Sequence, residues 1–168
     1  QPKVELASGR LAEMEALVRW QHPVHGMLPT IEFIKLAEHA GLITPLTNWM
    51  LDAAFSQSYI WHEEGVERAL SVNLSAHDLY HPLLIDRIQG LFSTWGIRPE
   101  MIQFELTESA LMEDPAGALE TLIKLKKFST RLFIDDFGTG YSSLSYLQKL
   151  PVDSIKIDQS FVMPMVTN

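Results

Sequence analysis

Short apolar runs alternate with stretches of helical period along this 168-residue chain, which leaves few architectures open. Strand, helix and strand in succession need crossover connections, so a mainly parallel sheet covered by helices is expected. The strand-like runs are 2–6, 14–20, 69–74, 101–106, 131–134 and 154–157. Thr44-Pro45 opens a helix that Gly65 closes, with Leu46, Trp49, Met50, Ala53, Ala54, Ile60 and Trp61 as its apolar face. Helical period returns over 82–95, stopped by Gly96, over 114–128 after Asp114-Pro115, and over 142–150. The length suits one α/β domain.

The polar residues fall in a pattern. Asn73, Glu105, Asp135-Asp136 and Lys156-Asp158 each stand near the C-terminal end of an apolar strand. In a parallel α/β sheet those ends share one face, where ligand sites are built. Glu105 sits between Phe104 and Leu106, so a merely solvated role is hard to accept. Asp135 and Asp136 repel each other unless a cation or proton lies between them. Gly138 and Gly140 let the backbone turn sharply behind them. A dinucleotide fingerprint is rejected there, because Ser143 replaces the third glycine and carboxylates stand where pyrophosphate would lie. Glu108 begins the next helix, with Thr107 as its cap, or joins Glu105 in the site. On the 14–20 strand Glu15 and Arg19 share a face, as a salt bridge or as ligands.

Composition narrows the chemistry. The absence of cysteine excludes disulfides and thiolate metal sites. The six histidines look incidental, His77 and His81 included, and the four tryptophans fall at core spacing. Oxygen donors without Cys or His suit magnesium or manganese. With 13 basic against 21 acidic residues the net charge is −8, which argues against a grip on long nucleic acid. Divalent cations reconcile that acidity with an anionic phosphate ester. No apolar run approaches the roughly 20 residues of a membrane span, and a cytoplasmic location is expected.

The motif Glu15-Ala16-Leu17-Val18-Arg19-Trp20, followed by His22-Pro23, resembles the signature of the EAL domain family, the bacterial cyclic di-GMP phosphodiesterases. The resemblance continues through Phe33-Ile34-Lys35-Leu36-Ala37-Glu38, Val72-Asn73-Leu74-Ser75, Glu105-Leu106-Thr107-Glu108-Ser109, the 135–144 segment and the 151–158 segment. It implies a TIM-like (β/α) barrel hydrolysing cyclic di-GMP to linear pGpG. In that resemblance Glu15, Asn73, Glu105 and Asp135 would hold metal, and Asp136 would help to hold a second ion. Lys156 would orient the attacking water or stabilise charge on phosphorus. Arg19, Leu17 and Gln1 would contact the substrate. Glu108 would brace the 135–143 loop, with Gly138, Gly140 and Ser142, beside a homodimer interface.

There are departures from the family. A full barrel has eight strands, whereas about six are legible in 1–168, read as a partial EAL domain. Two later family segments, supplying a catalytic glutamate and a glutamine, find no match here. The expectation is a longer signalling protein with further domains, with membrane anchoring through them left open; a cut fragment or completion by a second chain are the alternatives. Ser129 stands where the family has glycine, which predicts strain in that turn. The competing functional reading is a receptor module that binds cyclic di-GMP without cleaving it.

Overall fold

The computed structural model describes residues 1–139 and 144–166. Six strands form one sheet: β1 (Pro2–Val4), β2 (Leu11–Ala16), β5 (Leu70–Leu74), β6 (Ile102–Thr107), β7 (Arg131–Phe137) and β8 (Ser154–Ile157), in the spatial order β1-β2-β5-β6-β7-β8. β1 runs antiparallel to β2, and every later pairing is parallel. A separate hairpin joins β3 (Trp20–His22) to β4 (Gly26–Leu28).

The helices are α1 (Thr30–His39), α2 (Ile43–Glu63), α3 (Ala76–Leu79), α4 (Leu84–Trp95), α5 (Glu108–Glu113), α6 (Pro115–Lys126), α7 (Leu144–Leu147) and α8 (Gln159–Val162). Their boundaries follow local chemistry. Thr107 caps α5 by accepting from Ala110 N–H, and Asp114 caps α6 by accepting from Gly117 N–H with Pro115 in the first turn. Gly96 ends α4 in the left-handed region, at φ 62°.

Alternation along the central strands divides the interior. Leu70, Val72, Leu74, Ile102, Phe104, Leu106, Leu132 and Ile134 join Leu51, Phe55, Ile88, Leu122 and Leu125 of the helices in one apolar core. The opposite face carries Ser71, Asn73, Gln103, Glu105 and Asp135. That face is concave. Four inter-strand spacings separate β1 from β7, about 19 Å in a flat sheet, yet Lys3 Nζ lies 5.3 Å from the Phe133 ring centroid. Lys156 of β8 likewise reaches Glu15 of β2 at 3.4 Å. The sheet is therefore a curled α/β half-barrel, the incomplete TIM-like wall that the sequence implied.

Several local expectations are corrected. The 14–20 strand is instead Leu11–Ala16, ending opposite Val72, and Trp20 belongs to the hairpin, whose turn is 23–25. α2 exists, but its buried residues are Ile43, Thr47, Leu51, Ala54, Phe55 and Ser58, a face rotated from the expected one. Trp61 and Trp95 pack against the core, whereas Trp20 and Trp49 are exposed. The 131–134 strand continues to Phe137, so both aspartates lie within it. Of the 142–150 helix, Leu144–Leu147 is helical. Ser129 adopts φ 65°, the strained left-handed turn that its departure from glycine predicted.

Candidate active site

Parallel strands bring Glu15, Asn73, Glu105, Asp135 and Lys156 to one mouth of the half-barrel. Register does this directly: Asn73 pairs with Glu105 and Thr107 with Asp135 across neighbouring strands. One carboxylate oxygen from each of Glu15, Glu105 and Asp135 lies within 4.8 Å of the others. Lys156 Nζ sits among them, donating to Glu105 Oε2 at 2.5 Å, Asp135 Oδ2 at 2.7 Å and Glu15 Oε2 at 3.4 Å. Asn73 Nδ2 donates to Glu15 Oε1 at 3.0 Å. All of these acceptors are hard oxygens, a donor set that fits magnesium or manganese.

The charges are mutually adjusted. Burial opposes ionisation of Glu105, whose side chain is fully buried, but hydrogen bonds from Lys156 and Lys3 outweigh it and hold the carboxyl below its ordinary range. Burial likewise opposes the charge on Lys156, and hydrogen bonds to Asp135 and Glu105 overcome it, raising the ammonium pKa well above ordinary. Asp136 behaves oppositely. Partial burial, then the charges of Asp135 and Asp158, push its pKa up.

The neighbouring aspartates part company through the backbone. Asp136 has φ 53°, left-handed for a non-glycine residue. Asp135 meets Lys156, while Asp136 lies in the wall of an adjoining groove of about 850 Å³, with Leu17, Asn73 and Gln159. Gln1 is placed at the mouth because β1 is antiparallel: its amine donates to Glu15 O, and its carbonyl accepts from Glu15 N–H, both at 2.7 Å. Arg19 is not gathered into the acidic cluster. Its guanidinium donates to Val18 O at 2.9 Å and Thr30 Oγ1 at 3.2 Å, so neither a Glu15–Arg19 salt bridge nor a shared strand face exists.

Glu108 takes the first of the roles that the sequence left open, and the carboxylate cluster at the mouth is formed by Glu15, Glu105 and Asp135. Glu108 is the first residue of α5, and its buried Oε2 accepts from Gly138 N–H at 2.8 Å. Gly138 has φ 101°, and a Cβ there would lie 2.5 Å from the Phe161 ring, so glycine is required. Gly140 and Ser142 lie outside the described residues.

A second tier of polar residues was missed in the sequence. Lys3 binds Glu105 Oε1 and donates to Ser71 Oγ at 2.7 Å. Ser71 Oγ donates to Gln103 Oε1 at 3.1 Å, and Gln103 Nε2 donates to Glu13 Oε1 at 2.9 Å. Arg131 Nη1 meets the same Glu13 oxygen at 3.3 Å. The available signal was alternation: each of these residues stands two positions, or a multiple of two, from an inward-facing neighbour.

The family model described as "EAL domain" matches residues 1–168. Among curated proteins, the bifunctional diguanylate cyclase/cyclic di-GMP phosphodiesterase MucR of Pseudomonas aeruginosa is 40% identical over 163 residues, covering 96% of this chain and 24% of that protein. The cyclic di-GMP phosphodiesterase PdeR of Escherichia coli is 38% identical over 162 residues, with coverage of 96% and 24%. The solved structure "PaMucR Phosphodiesterase, c-di-GMP complex" superposes with a TM-score of 0.94 at 38% identity, covering 100% of this chain and 68% of that one. The chain spans about a quarter of the length of these curated relatives. Its signature motif, its half-barrel and the full-length match agree: this chain belongs to the EAL domain family.

Proposed function

We propose that this domain acts on cyclic di-GMP, hydrolysing one phosphodiester bond to give pGpG with the help of two magnesium or manganese ions. The observation that carries the reading is the Glu15–Glu105–Asp135 cluster around Lys156, beside a groove of about 850 Å³ whose wall includes Asn73 and Asp136. Glu15, Asn73, Glu105 and Asp135 would hold one ion, and Asp136 would contribute to a second. Bound cations supply charge stabilisation at phosphorus and an acidified water.

The chain's own groups do the rest. Lys156 stays protonated across the physiological range, because its pKa is raised. It can donate to a phosphoryl oxygen or orient the attacking water once one of its three carboxylate acceptors is released, the 3.4 Å bond to Glu15 being the longest. Leu17 offers an apolar wall to a guanine base, and Gln1 lies at the mouth for a polar contact. Arg19 would meet the substrate from beside the mouth, where its Nη1 is anchored to Val18 and Thr30. Glu108, through Gly138, holds the loop after Asp136 and couples it to a dimer partner.

The relatives' names support the substrate, and their greater length supports further signalling domains in the whole protein. A cytoplasmic second messenger puts the domain in the cytoplasm. Among the described residues no helix is long and apolar enough to cross a membrane.

The test is turnover of cyclic di-GMP by the protein carrying this domain, with magnesium or manganese and with a chelator. Chelator-sensitive release of pGpG is expected. Glu105→Gln should lower the rate by at least about 100-fold, the upper end of what residues behind a metal ligand cost. Tight binding without turnover would replace the enzyme by a receptor, and a wild-type rate in Glu105→Gln would remove Glu105 as a ligand.

A further inference from the structure

The two oxygens of Glu105 have different fates. Oε2 faces the mouth and accepts from Lys156 at 2.5 Å, whereas Oε1 is bound from beneath by Lys3. Lys3 gets there because β1 runs against the other strands and the wall curls, bringing the edge strand under β6. Its ammonium is fixed on three sides: by Glu105, by Ser71 Oγ at 2.7 Å and over the Phe133 ring at 5.3 Å.

Ser71 is itself oriented. It spends its proton on Gln103, whose amide is set in turn by Glu13, and Arg131 balances the Glu13 charge. Ser71 and Gln103 are fully buried, so water does not substitute for these bonds.

We propose that Lys3 is a positioning residue that makes Glu105 a one-oxygen donor at the mouth and so favours a small octahedral cation, magnesium or manganese, over calcium. This deepens the metal reading above and rests on it. With Oε1 tied to Lys3, Glu105 would offer an ion that displaces Lys156 a single ligand, Oε2, in a fixed direction. Magnesium needs near-ideal octahedral geometry, whereas calcium takes six to eight oxygens and accepts both from one carboxylate. Freed from Lys3, Glu105 can turn both oxygens to the mouth. Loss of the ammonium also raises the attraction for any divalent cation, but by the same Coulomb energy for each at equal distance. The ratio of affinities isolates the geometric effect.

The experiment is calorimetric titration of manganese and, separately, calcium into the protein carrying this domain, for wild type, Lys3→Met, Lys3→Arg and Ser71→Ala. In Lys3→Met the preference for manganese over calcium should fall about tenfold, the lower end for residues behind a ligand. Ser71→Ala should move it the same way by less, and Lys3→Arg should restore part of it. If Lys3→Met does not fold, Ser71→Ala tests the same geometry. An unchanged ratio in both, or an equal loss for both ions, overturns the inference and leaves the metal reading intact. A wild type that binds neither ion overturns both.

Discussion

Along β6, Phe104 and Leu106 turn towards the helices while Gln103 and Glu105 turn into the barrel, and all four are buried to within 1% of full exclusion. The two faces are equally dry, yet they are held by different physics. On the helical face Phe104 packs with Val72, Ile134 and the α2 and α4 side chains in a core without directional bonds. On the inner face both oxygens of Glu105 and both the oxygen and the nitrogen of the Gln103 amide meet a named partner, because an unpaired charge or amide there would carry its full desolvation penalty. The helical face sets how stable the wall is. The inner face sets where oxygen and nitrogen atoms stand.

Substitutions can separate the two. Phe104→Ala should be the most destabilising, by about 3–5 kcal/mol. Denaturant melts would show this, with manganese affinity per folded molecule unchanged. Lost affinity at full folding would mean that the faces are not independent. Glu108→Ala, across the seam between α5 and β7, removes the carboxylate that Gly138 N–H donates to, a charged hydrogen bond of about 1.5–3 kcal/mol. Amide exchange at Gly138 should quicken by about tenfold or more, with reduced turnover. Protection and rate at wild-type values would count against the bracing role. The smallest effect is expected at Ser129, where α6 hands over to β7. Ser129→Gly relieves a left-handed side chain at some cost in chain entropy, for a net gain of up to about 1 kcal/mol and no change in turnover. A loss of stability would show that the serine is held there by something other than backbone geometry.

The same division explains what could be read from the chain. β5, β6 and β7 were legible because their outward residues are apolar at every second position, and Glu105 stood out as a carboxylate between two of them. Its bond to Lys3 was not legible. The two are 102 positions apart, and Lys3 lies in a three-residue strand with no apolar pattern of its own. β2 was read too long, since alternation persists through Val18 and Trp20 although its pairing with β5 stops at Ala16. The face of α2 was misjudged because Trp49 and Ile60, which look like core residues, are exposed, while Thr47 and Ser58 are buried. Thr47 is accommodated by a hydrogen bond to Asp78 at 2.6 Å, a partner that sequence spacing does not announce.

The reversed direction of β1 has a practical consequence. Gln1, just ahead of it and hydrogen-bonded to Glu15, is at the mouth of the barrel, whereas the start of a parallel first strand would lie at the base. A fluorophore placed at position 1 would therefore report on occupancy of the groove from its own doorstep.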